Sequence, residues 1–251
     1  MTLQELKSRL DEMSPLKVQF VARVVDALLH PPQTHVRKEG TWLTGSPAWL
    51  EYFSLALSVH HGATTVPLGL TEFETVFRNA CESIGWRTDP PGSATRRFVD
   101  LEVWVDNQPE RKLSLKSTAA KRLSESTVHI SKLTEAAWIQ DTRTPADRRE
   151  RTLSLFRDYA KAVDSIVMLR AFRTEGVPDR YQLVEIPTSL FASIQDAPLD
   201  SFRSDAPVVP CHSGDRVVAH MALDRSDAKV TIRRIELSAC TIHAEWVRSG
   251  R

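Results

Sequence analysis

The sequence has few cysteines, no long apolar run and almost no net charge. Its three cysteines, Cys81, Cys211 and Cys240, are odd in number and far apart, which argues against a disulfide framework and suits a reducing cytoplasm. The absence of any run of 18 apolar residues excludes a membrane-spanning helix. The N-terminal MTLQELKSRLDEM lacks the apolar core of a signal peptide, so we expect a cytoplasmic protein.

The net charge of +1 neither favours nor excludes nucleic acid as a partner, since the distribution of charge matters more than its sum. Common cofactor and nucleophile motifs are missing too. Without a P-loop or a G-x-G-x-x-G motif, nucleotide-dependent chemistry is not expected. Without a G-x-S-x-G elbow, nothing supports Ser/His/Asp catalysis.

The composition that remains is that of an ordinary globular protein. Hydrophobic residues make up 41% of the chain and charged residues 26%, which is enough to bury a core. No linker or change of composition divides the 251 residues, so we predict a single domain over 1–251.

Helical spacing of apolar residues dominates the beginning of the chain. The pattern predicts helices over residues 3–30, interrupted at Ser14-Pro15, and over 46–61, with Pro47 at the first helical position. Residues 1–65 therefore form a helical N-terminal part. Thr71 followed by Glu74 reads as a capping box at the start of the next helix, TEFETVFRNACESIG.

Strands and helices are mixed in the rest of the sequence. FVDLEVWV and KLSLKST, within residues 98–118, predict two strands joined by a turn at Pro109. The patterns that follow predict helices at 131–140 and 145–163, strands at 165–172 and 181–187, a short helix, and three closing strands. This order predicts an α/β fold with a mixed central β-sheet flanked by α-helices.

The two strands at 98–118 carry charged residues that a sheet does not bury without a partner. Alternation puts Phe98, Asp100, Glu102 and Trp104 on one face of the first strand, with Val99, Leu101, Val103 and Val105 on the other. In the second strand, Ser114 and Lys116 share a face. If the hairpin closes across residues 107–111, Lys116 lies roughly opposite Glu102 and one rung from Asp100. We therefore expect Asp100, Ser114 and Lys116 to converge at one end of the sheet.

This pattern resembles the PD-(D/E)xK nuclease superfamily, in which an acid on one strand is followed, after a turn, by acid-x-Lys on the next. Asp100 matches the first acid, and Ser114-Leu115-Lys116 matches the tripeptide. The preceding helix matches as well, because these nucleases often place a glutamate there, and Glu74 is the candidate. The resemblance covers residues 70–140, the catalytic core region. Within the superfamily, the sequence is most similar to a type II restriction endonuclease.

The resemblance implies a restriction-endonuclease-like domain that hydrolyses phosphodiester bonds of double-stranded DNA at a short sequence, with Mg²⁺ as cofactor. Asp100 would bind Mg²⁺ through a hard carboxylate oxygen. Lys116 would orient or help deprotonate the attacking water and offset the developing negative charge. The implied partners are DNA, a second copy of the chain on a palindromic site, and a DNA methyltransferase encoded nearby.

One departure from the superfamily pattern is Ser114, which stands where an acid is usual. A hydroxyl is a poorer Mg²⁺ ligand than a carboxylate, so a second acid must come from elsewhere. Glu74 is the first choice and Glu135, on the helix predicted over 131–140, is the second. Glu102 and Glu125 are further candidates.

Basic and polar residues near the motif are candidates for contact with DNA. Those that flank the two strands or follow them are Arg96, Arg97, Lys121, Arg122, His129, Ser131 and Lys132. Arg148 and Arg149 are further basic residues of this kind.

Three other interpretations stay open at this point. Ser114 in the acid position favours a non-catalytic DNA-binding protein that kept the nuclease fold. A nuclease of repair or phage defence would read DNA structure rather than sequence. In the simplest interpretation, Asp100 and Lys116 are a solvated cross-strand ion pair and Glu74 is only a helix cap.

Overall fold

A computed structural model describes residues 2–89, 97–105 and 108–248. The helices are α1 (Leu3–Asp11), α2 (Pro15–Leu29), α3 (Pro47–Ala63), α4 (Leu70–Ser83), α5 (Trp138–Asp141) and α6 (Pro145–Ala162). The strands are β1 (Gln33–Val36), β2 (Arg87–Asp89), β3 (Leu101–Trp104), β4 (Arg111–Thr118), β5 (Thr127–Glu135), β6 (Ser165–Thr174), β7 (Val177–Pro187), β8 (Val208–Ser213), β9 (Arg216–Asp224), β10 (Lys229–Glu236) and β11 (Thr241–Val247). Short 3₁₀ helices lie at Thr188–Asp196, Leu199–Phe202 and Leu237–Ala239.

The strands form two sheets. The larger has seven strands in the order β1-β11-β7-β6-β4-β3-β2, and the smaller has four in the order β5-β10-β9-β8. In the larger sheet β4 and β6 are parallel, whereas the other neighbours are antiparallel. The long connection from β4 to β6, which contains β5 and α6, makes this parallel pairing possible. The predicted mixed sheet is confirmed, and the second sheet was not predicted.

Each face of the larger sheet covers an apolar core. Helices α3 and α4 pack on one face, where Trp49, Phe53, Phe73 and Phe77 lie buried against strand residues such as Leu115. Helix α6 and the smaller sheet pack on the other face. Strands β3 and β4 therefore lie between a layer of helices, α3 and α4, and a layer made of α6 and the smaller sheet. This packing fixes the position of side chains at the ends of the two strands.

Helix α2 packs closely on α3, where Gly62 allows the approach. A Cβ added at Gly62 would lie 3.0 Å from the Val24 Cα atom and 3.3 Å from the Ala27 Cβ atom. None of the residues of α1 or α2 is buried, although both helices were correctly predicted from their spacing. In the described part of the chain, no helix combines the length and apolar character needed to cross a membrane.

The helix predicted over 131–140 is wrong. Residues up to Glu135 belong to strand β5, and only the four residues Trp138–Asp141 are helical. The strand has the alternation that the helical interpretation missed, because Val128 and Ile130 are buried while His129 is exposed.

The capping box predicted at Thr71 and Glu74 is also wrong. Helix α4 begins at Leu70 with Gly69 as its N-terminal cap, and no side chain caps it. Glu72, not Glu74, is the acid in the first turn. Glu74 is therefore not explained by a capping role.

Candidate active site

Asp100 comes directly before β3 and is held against β4 by the backbone. Its N–H donates to the Leu113 carbonyl at 2.8 Å. The register pairs Leu101 with Leu113 and Glu102 with Lys112. The prediction that Lys116 lies opposite Glu102 is therefore wrong, because Lys116 is four residues further along β4 than the partner of Glu102.

The chain turns sharply at Phe98, just before Asp100. Phe98 has a φ of 80°, a left-handed conformation that is uncommon for a bulky residue. Val99 packs in the core below α6, whereas Leu101 packs in the core on the opposite face of the sheet. The predicted placement of Val99 and Leu101 on one face is wrong for this reason. The turn lets the Asp100 carboxylate reach β4.

The Lys116 ammonium donates to three oxygen atoms. These are Oδ2 of Asp100 at 3.1 Å, Oγ of Ser114 at 2.8 Å and the carbonyl oxygen of Leu115 at 3.0 Å. The Lys116 side chain is 18% exposed and that of Asp100 32%. An ammonium with three acceptors and this degree of burial is more confined than a solvated surface ion pair. The structure thus brings Asp100, Ser114 and Lys116 together, as predicted from the sequence.

Ser114 connects the two charged side chains. Its hydroxyl donates to Asp100 Oδ2 at 3.0 Å and accepts from Lys116, while its residue is 1% exposed. The same Asp100 oxygen accepts from the Leu115 N–H at 2.7 Å. Donors from a backbone amide, a hydroxyl and an ammonium therefore fix the orientation of the Asp100 carboxylate.

Glu74 lies on α4, which packs on β3 and β4. Partial burial raises the pKa of Glu74, the negative charge of Asp100 raises it further, and the Lys116 ammonium lowers it. These effects place Glu74 within electrostatic range of both residues.

Tyr159 of α6 lies on the side of the larger sheet opposite α4. It was not predicted from the sequence. Its phenol oxygen is buried and has no hydrogen-bond partner among the residues that the structure describes, and Ser114 and Asp100 are the polar groups that influence it. Burial raises the pKa of Tyr159, and the nearby Asp100 carboxylate raises it too, so the phenol stays neutral near pH 7. No sequence signal separates Tyr159 from the other apolar positions of α6.

The donor set of the site fits a hard divalent cation. Oxygen atoms of Asp100, Ser114 and the Leu115 carbonyl surround one cationic group, with the Glu74 carboxylate nearby. The residues that the structure describes contain no cluster of three or more His, Cys, Asp and Glu side chains arranged to hold a metal. Mg²⁺ does not require one, because it is commonly held by one or two carboxylates, water and substrate phosphates.

The other acids considered for the site have different partners. Glu135 lies on β5, in the smaller sheet, and its carboxylate accepts from Lys132 at 2.8 Å. That hydrogen bond lowers the pKa of Glu135. Glu125 pairs with Arg180. Glu102 is buried and lines a cleft at the edge of the larger sheet.

This cleft has a volume of about 940 Å³. Its wall includes Phe98 and Val99, which directly precede Asp100. Arg97 lies on the Phe98 ring, with the guanidinium carbon 4.5 Å from the ring centroid, and is exposed. A predicted DNA contact, Arg97, thus lies in the wall of this cleft, three residues before Asp100 in the chain.

The remaining predicted DNA contacts lie in different places. Arg96 lies outside the described residues. Lys121 and Arg122 are exposed in the segment between β4 and β5. His129, Ser131 and Lys132 are exposed on β5. The pKa of His129 is lowered by partial desolvation of its ring and by the positive charges of Arg233 and Lys229.

Arg148, a further basic candidate, is not available for contact with DNA. Its side chain is 2% exposed and donates to the Phe202 and Arg203 carbonyls and to Asp205. It holds a 3₁₀ segment against α6. Arg149 donates to the Ala197 carbonyl at 2.8 Å.

Comparison with known proteins finds similarity to the type II restriction enzyme SmaI of Serratia marcescens. The two sequences are 27% identical over 208 residues, which cover 79% of this chain and 78% of the relative. No family model matches the chain. No solved structure matches it either. The chain is therefore a distant relative of a type II restriction enzyme over most of both lengths.

Proposed function

We propose that this protein is a Mg²⁺-dependent endonuclease that hydrolyses phosphodiester bonds of double-stranded DNA at a specific short sequence. The observation that carries the proposal is the contact of Lys116 with Asp100 and Ser114 beside Glu74. The similarity to a type II restriction enzyme over 79% of the chain supports the same reaction and substrate.

Asp100 and Glu74 are the residues that would hold Mg²⁺, with the Leu115 carbonyl next to them. A cation held there would supply charge neutralisation at the scissile phosphate and would lower the pKa of the attacking water. The hydrogen bonds that Asp100 accepts from Ser114 and the Leu115 amide keep its carboxylate in one orientation. A carboxylate that is oriented in advance binds a cation without a further loss of conformational freedom.

Lys116 supplies the positive charge of the site and a hydrogen-bond donor. Its ammonium lies at the carboxylate, so it can orient the attacking water and stabilise negative charge as that charge develops on the phosphate oxygens. Partial burial strengthens both effects, because charges interact more strongly away from bulk water. Tyr159 remains neutral and closes the floor of the site.

DNA would enter along the exposed side of the site. Arg97 at the cleft and Lys121 and Arg122 after β4 are exposed, so we expect them to contact DNA phosphates. A DNA methyltransferase that protects the same sequence is the expected partner in the cell.

Ser114 supports a second candidate function, a non-catalytic DNA-binding protein on the same fold. The serine replaces an acid, and the Lys116 ammonium occupies the space between the site's oxygen atoms. In that case the protein binds DNA in the absence of divalent metal and cleaves none with any metal.

Incubation of the purified chain with plasmid DNA separates the two candidates. Discrete fragments that require Mg²⁺ and share one sequence at their mapped ends support a site-specific endonuclease. Cuts that are scattered or follow DNA structure point instead to a nuclease of repair or phage defence. Cleavage by Asp100→Ala at the wild-type rate would sink the site assignment.

A further inference from the structure

Strand β10 of the smaller sheet contains an irregularity that carries two arginines. The register of β10 against β5 shifts between Ile232 and Ile235, so that Arg233 and Arg234 together oppose the single residue His129. An extra residue of this kind is a β-bulge, which bends its strand and changes the direction of its side chains. We call Arg233 and Arg234 the β10 bulge.

The backbone of the β10 bulge is unusual for the residues it contains. Arg234 has a φ of 52°, in the left-handed region. Bulges with a left-handed residue usually have glycine there, because glycine has no Cβ to clash with the backbone. Unfavourable backbone conformations of this kind are concentrated at functional sites. An arginine at a position that suits glycine therefore indicates a use for its side chain.

The β10 bulge presents two positive charges that no carboxylate compensates. Both arginines are exposed. Within residues 2–89, 97–105 and 108–248, neither side chain forms an ion pair or a hydrogen bond. The acids at the ends of β9 and β10 are already paired, Asp224 with Lys229 at 3.7 Å and Glu236 with Arg216 at 2.8 Å. Two adjacent guanidinium groups without a carboxylate favour an anionic partner.

Histidines flank the β10 bulge on both neighbouring strands. His129 lies opposite it on β5, and His220 of β9 pairs with Arg233. The Nδ1 atom of His220 is buried and has no hydrogen-bond partner among the described residues. Partial desolvation of its ring and the charges of Arg233 and Lys229 lower the pKa of His129, so this imidazole is neutral near pH 7.

The presence of a neutral imidazole separates two kinds of anionic ligand. A neutral imidazole offers one hydrogen-bond donor and one acceptor. Phosphate oxygens only accept hydrogen bonds, whereas the base edges in the major groove of DNA present both donors and acceptors. The combination of arginines and imidazoles therefore fits base edges better than it fits phosphates alone.

The fold places the β10 bulge at the end of β4 that follows the proposed site. Thr118, two residues after Lys116, pairs with Arg170 of β6. The Arg170 guanidinium donates to the Thr127 carbonyl at 3.3 Å. Thr127 begins β5 and pairs with Glu236 of β10. The bulge begins two residues before Glu236, so short steps through paired strands connect it to the strand of Lys116.

We propose that the β10 bulge reads the sequence of the DNA, with the guanidinium groups of Arg233 and Arg234 each donating to the edge of a guanine. Arginine forms two parallel hydrogen bonds with guanine O6 and N7, and paired strands fit the major groove. A bulge inside a packed sheet holds the two side chains more rigidly than a loop does. The inference rests on the proposed function, because it takes double-stranded DNA as the ligand.

Selection of bound duplexes from a random pool, with Ca²⁺ in place of Mg²⁺, tests the proposal without requiring cleavage. We expect the wild type to enrich one sequence that contains guanine. Arg233→Ala and Arg234→Gly should each lose the preference at one base pair, by roughly tenfold to 100-fold. Glycine suits a φ of 52°, so urea unfolding should show Arg234→Gly to be at least as stable as the wild type. Arg234→Lys keeps the charge without the planar fork and should lose the same preference.

Two further variants separate base contacts from other effects. Arg122→Ala removes an expected phosphate contact, so it should weaken binding to all duplexes alike, keep the preference and reduce the salt slope by about one. Arg9→Ala, at an exposed position in the last turn of α1, should change neither affinity nor preference.

The outcomes for the β10 bulge and for the proposed endonuclease are distinct. A wild type that enriches no sequence would overturn the inference, and so would an Arg234→Gly chain with the wild-type preference. A uniform loss of affinity in the bulge variants, with the preference unchanged, would make the bulge a phosphate contact and would also overturn it. A wild type that enriches one sequence but cleaves no DNA refutes the endonuclease, while the bulge variants still decide the inference.

Discussion

The Lys116 ammonium and the Asp100 carboxylate lie 3.1 Å apart, although their strand positions are not opposite each other. The contact exists because the chain turns at Phe98 and the lysine side chain reaches along β4. Ser114 holds both groups through one hydroxyl. The turn at Phe98, the Lys116 side chain and the Ser114 hydroxyl can each be changed separately, with a measurable consequence for each.

Ser114→Ala removes the hydroxyl that connects Asp100 and Lys116 while leaving their direct contact. Hydrogen bonds to charged groups contribute about 1.5–3 kcal/mol, so we expect cleavage to slow roughly tenfold to 100-fold with little change in DNA binding. The rate is measured by single-turnover kinetics on a duplex that the wild type cleaves. Ser117→Ala, on the same strand, is the control and should leave the rate unchanged. Equal rates for the Ser114 variant and the wild type would exclude the role assigned to this hydroxyl.

Glu74→Gln and Glu135→Gln separate the two acids that the sequence offered as replacements for the missing carboxylate. Glu74 lies within range of Asp100 and Lys116, so its loss should lower the cleavage rate on the order of 100-fold at limiting Mg²⁺. Raising the Mg²⁺ concentration should restore part of it. Glu135 is exposed and paired with Lys132, so its variant should cleave normally. The opposite ranking would move the metal-binding role to Glu135.

Replacement of Phe98 tests the turn that delivers Asp100. At a φ of 80° a side chain is strained and glycine is not, so Phe98→Gly should be more stable than Phe98→Ala by about 1 kcal/mol. Both variants lose the ring contact with Tyr159, whose centroid lies 5.1 Å away. Urea unfolding measures the difference. An alanine variant as stable as the glycine variant would show that the turn is not left-handed in solution.

Glu185 should make the stability depend on pH. Burial would raise its pKa, but hydrogen bonds from His243, Ser165 and Trp42 lower the pKa from the ordinary 4.5 to about 2. A lowered pKa in the folded state stabilises the protein above pH 4.5, and this contribution is lost as the pH falls towards 2. The loss amounts to up to about 3 kcal/mol.

The measurement for Glu185 is the free energy of unfolding at several pH values between 2 and 5, for the wild type and Glu185→Gln. The wild type should lose more stability than the variant over this range, because the variant has no carboxylate to protonate at this position. Other acids titrate in both proteins and cancel in the comparison. Parallel curves would contradict the assignment.

The sequence predicted the parts of the site that depend on local pattern. Alternation in KLSLKST placed Ser114 and Lys116 on one face, and helical spacing predicted α4 with Glu74. The convergence of Asp100, Ser114 and Lys116 followed from joining two adjacent strands. These features need only neighbouring residues and the pairing of consecutive elements.

The features that sequence reasoning missed depend on distant parts of the chain. Tyr159 reaches the site because α6 packs across the parallel pair β4 and β6. Phe98 has a left-handed backbone conformation, but the sequence does not indicate it, because such positions are usually glycine or asparagine. Residues 127–130 alternate between buried and exposed side chains as in a strand, and residues 131–135 continue that strand because Thr134 and Glu135 pair with β10, about a hundred residues later in the chain. This distant pairing extends the strand through residues whose own sequence suggested a helix.

The most direct test of the account compares the rate of cleavage with the affinity for DNA in Asp100→Asn and Lys116→Met. Both are measured on one duplex that contains the mapped cleavage sequence, with Mg²⁺ for cleavage and Ca²⁺ for binding. We predict that each variant keeps its affinity for the duplex and cleaves it at least about 100-fold more slowly. Lys161→Met, at an exposed lysine in the last turn of α6, should behave like the wild type. Cleavage at the wild-type rate by either active-site variant would contradict the account.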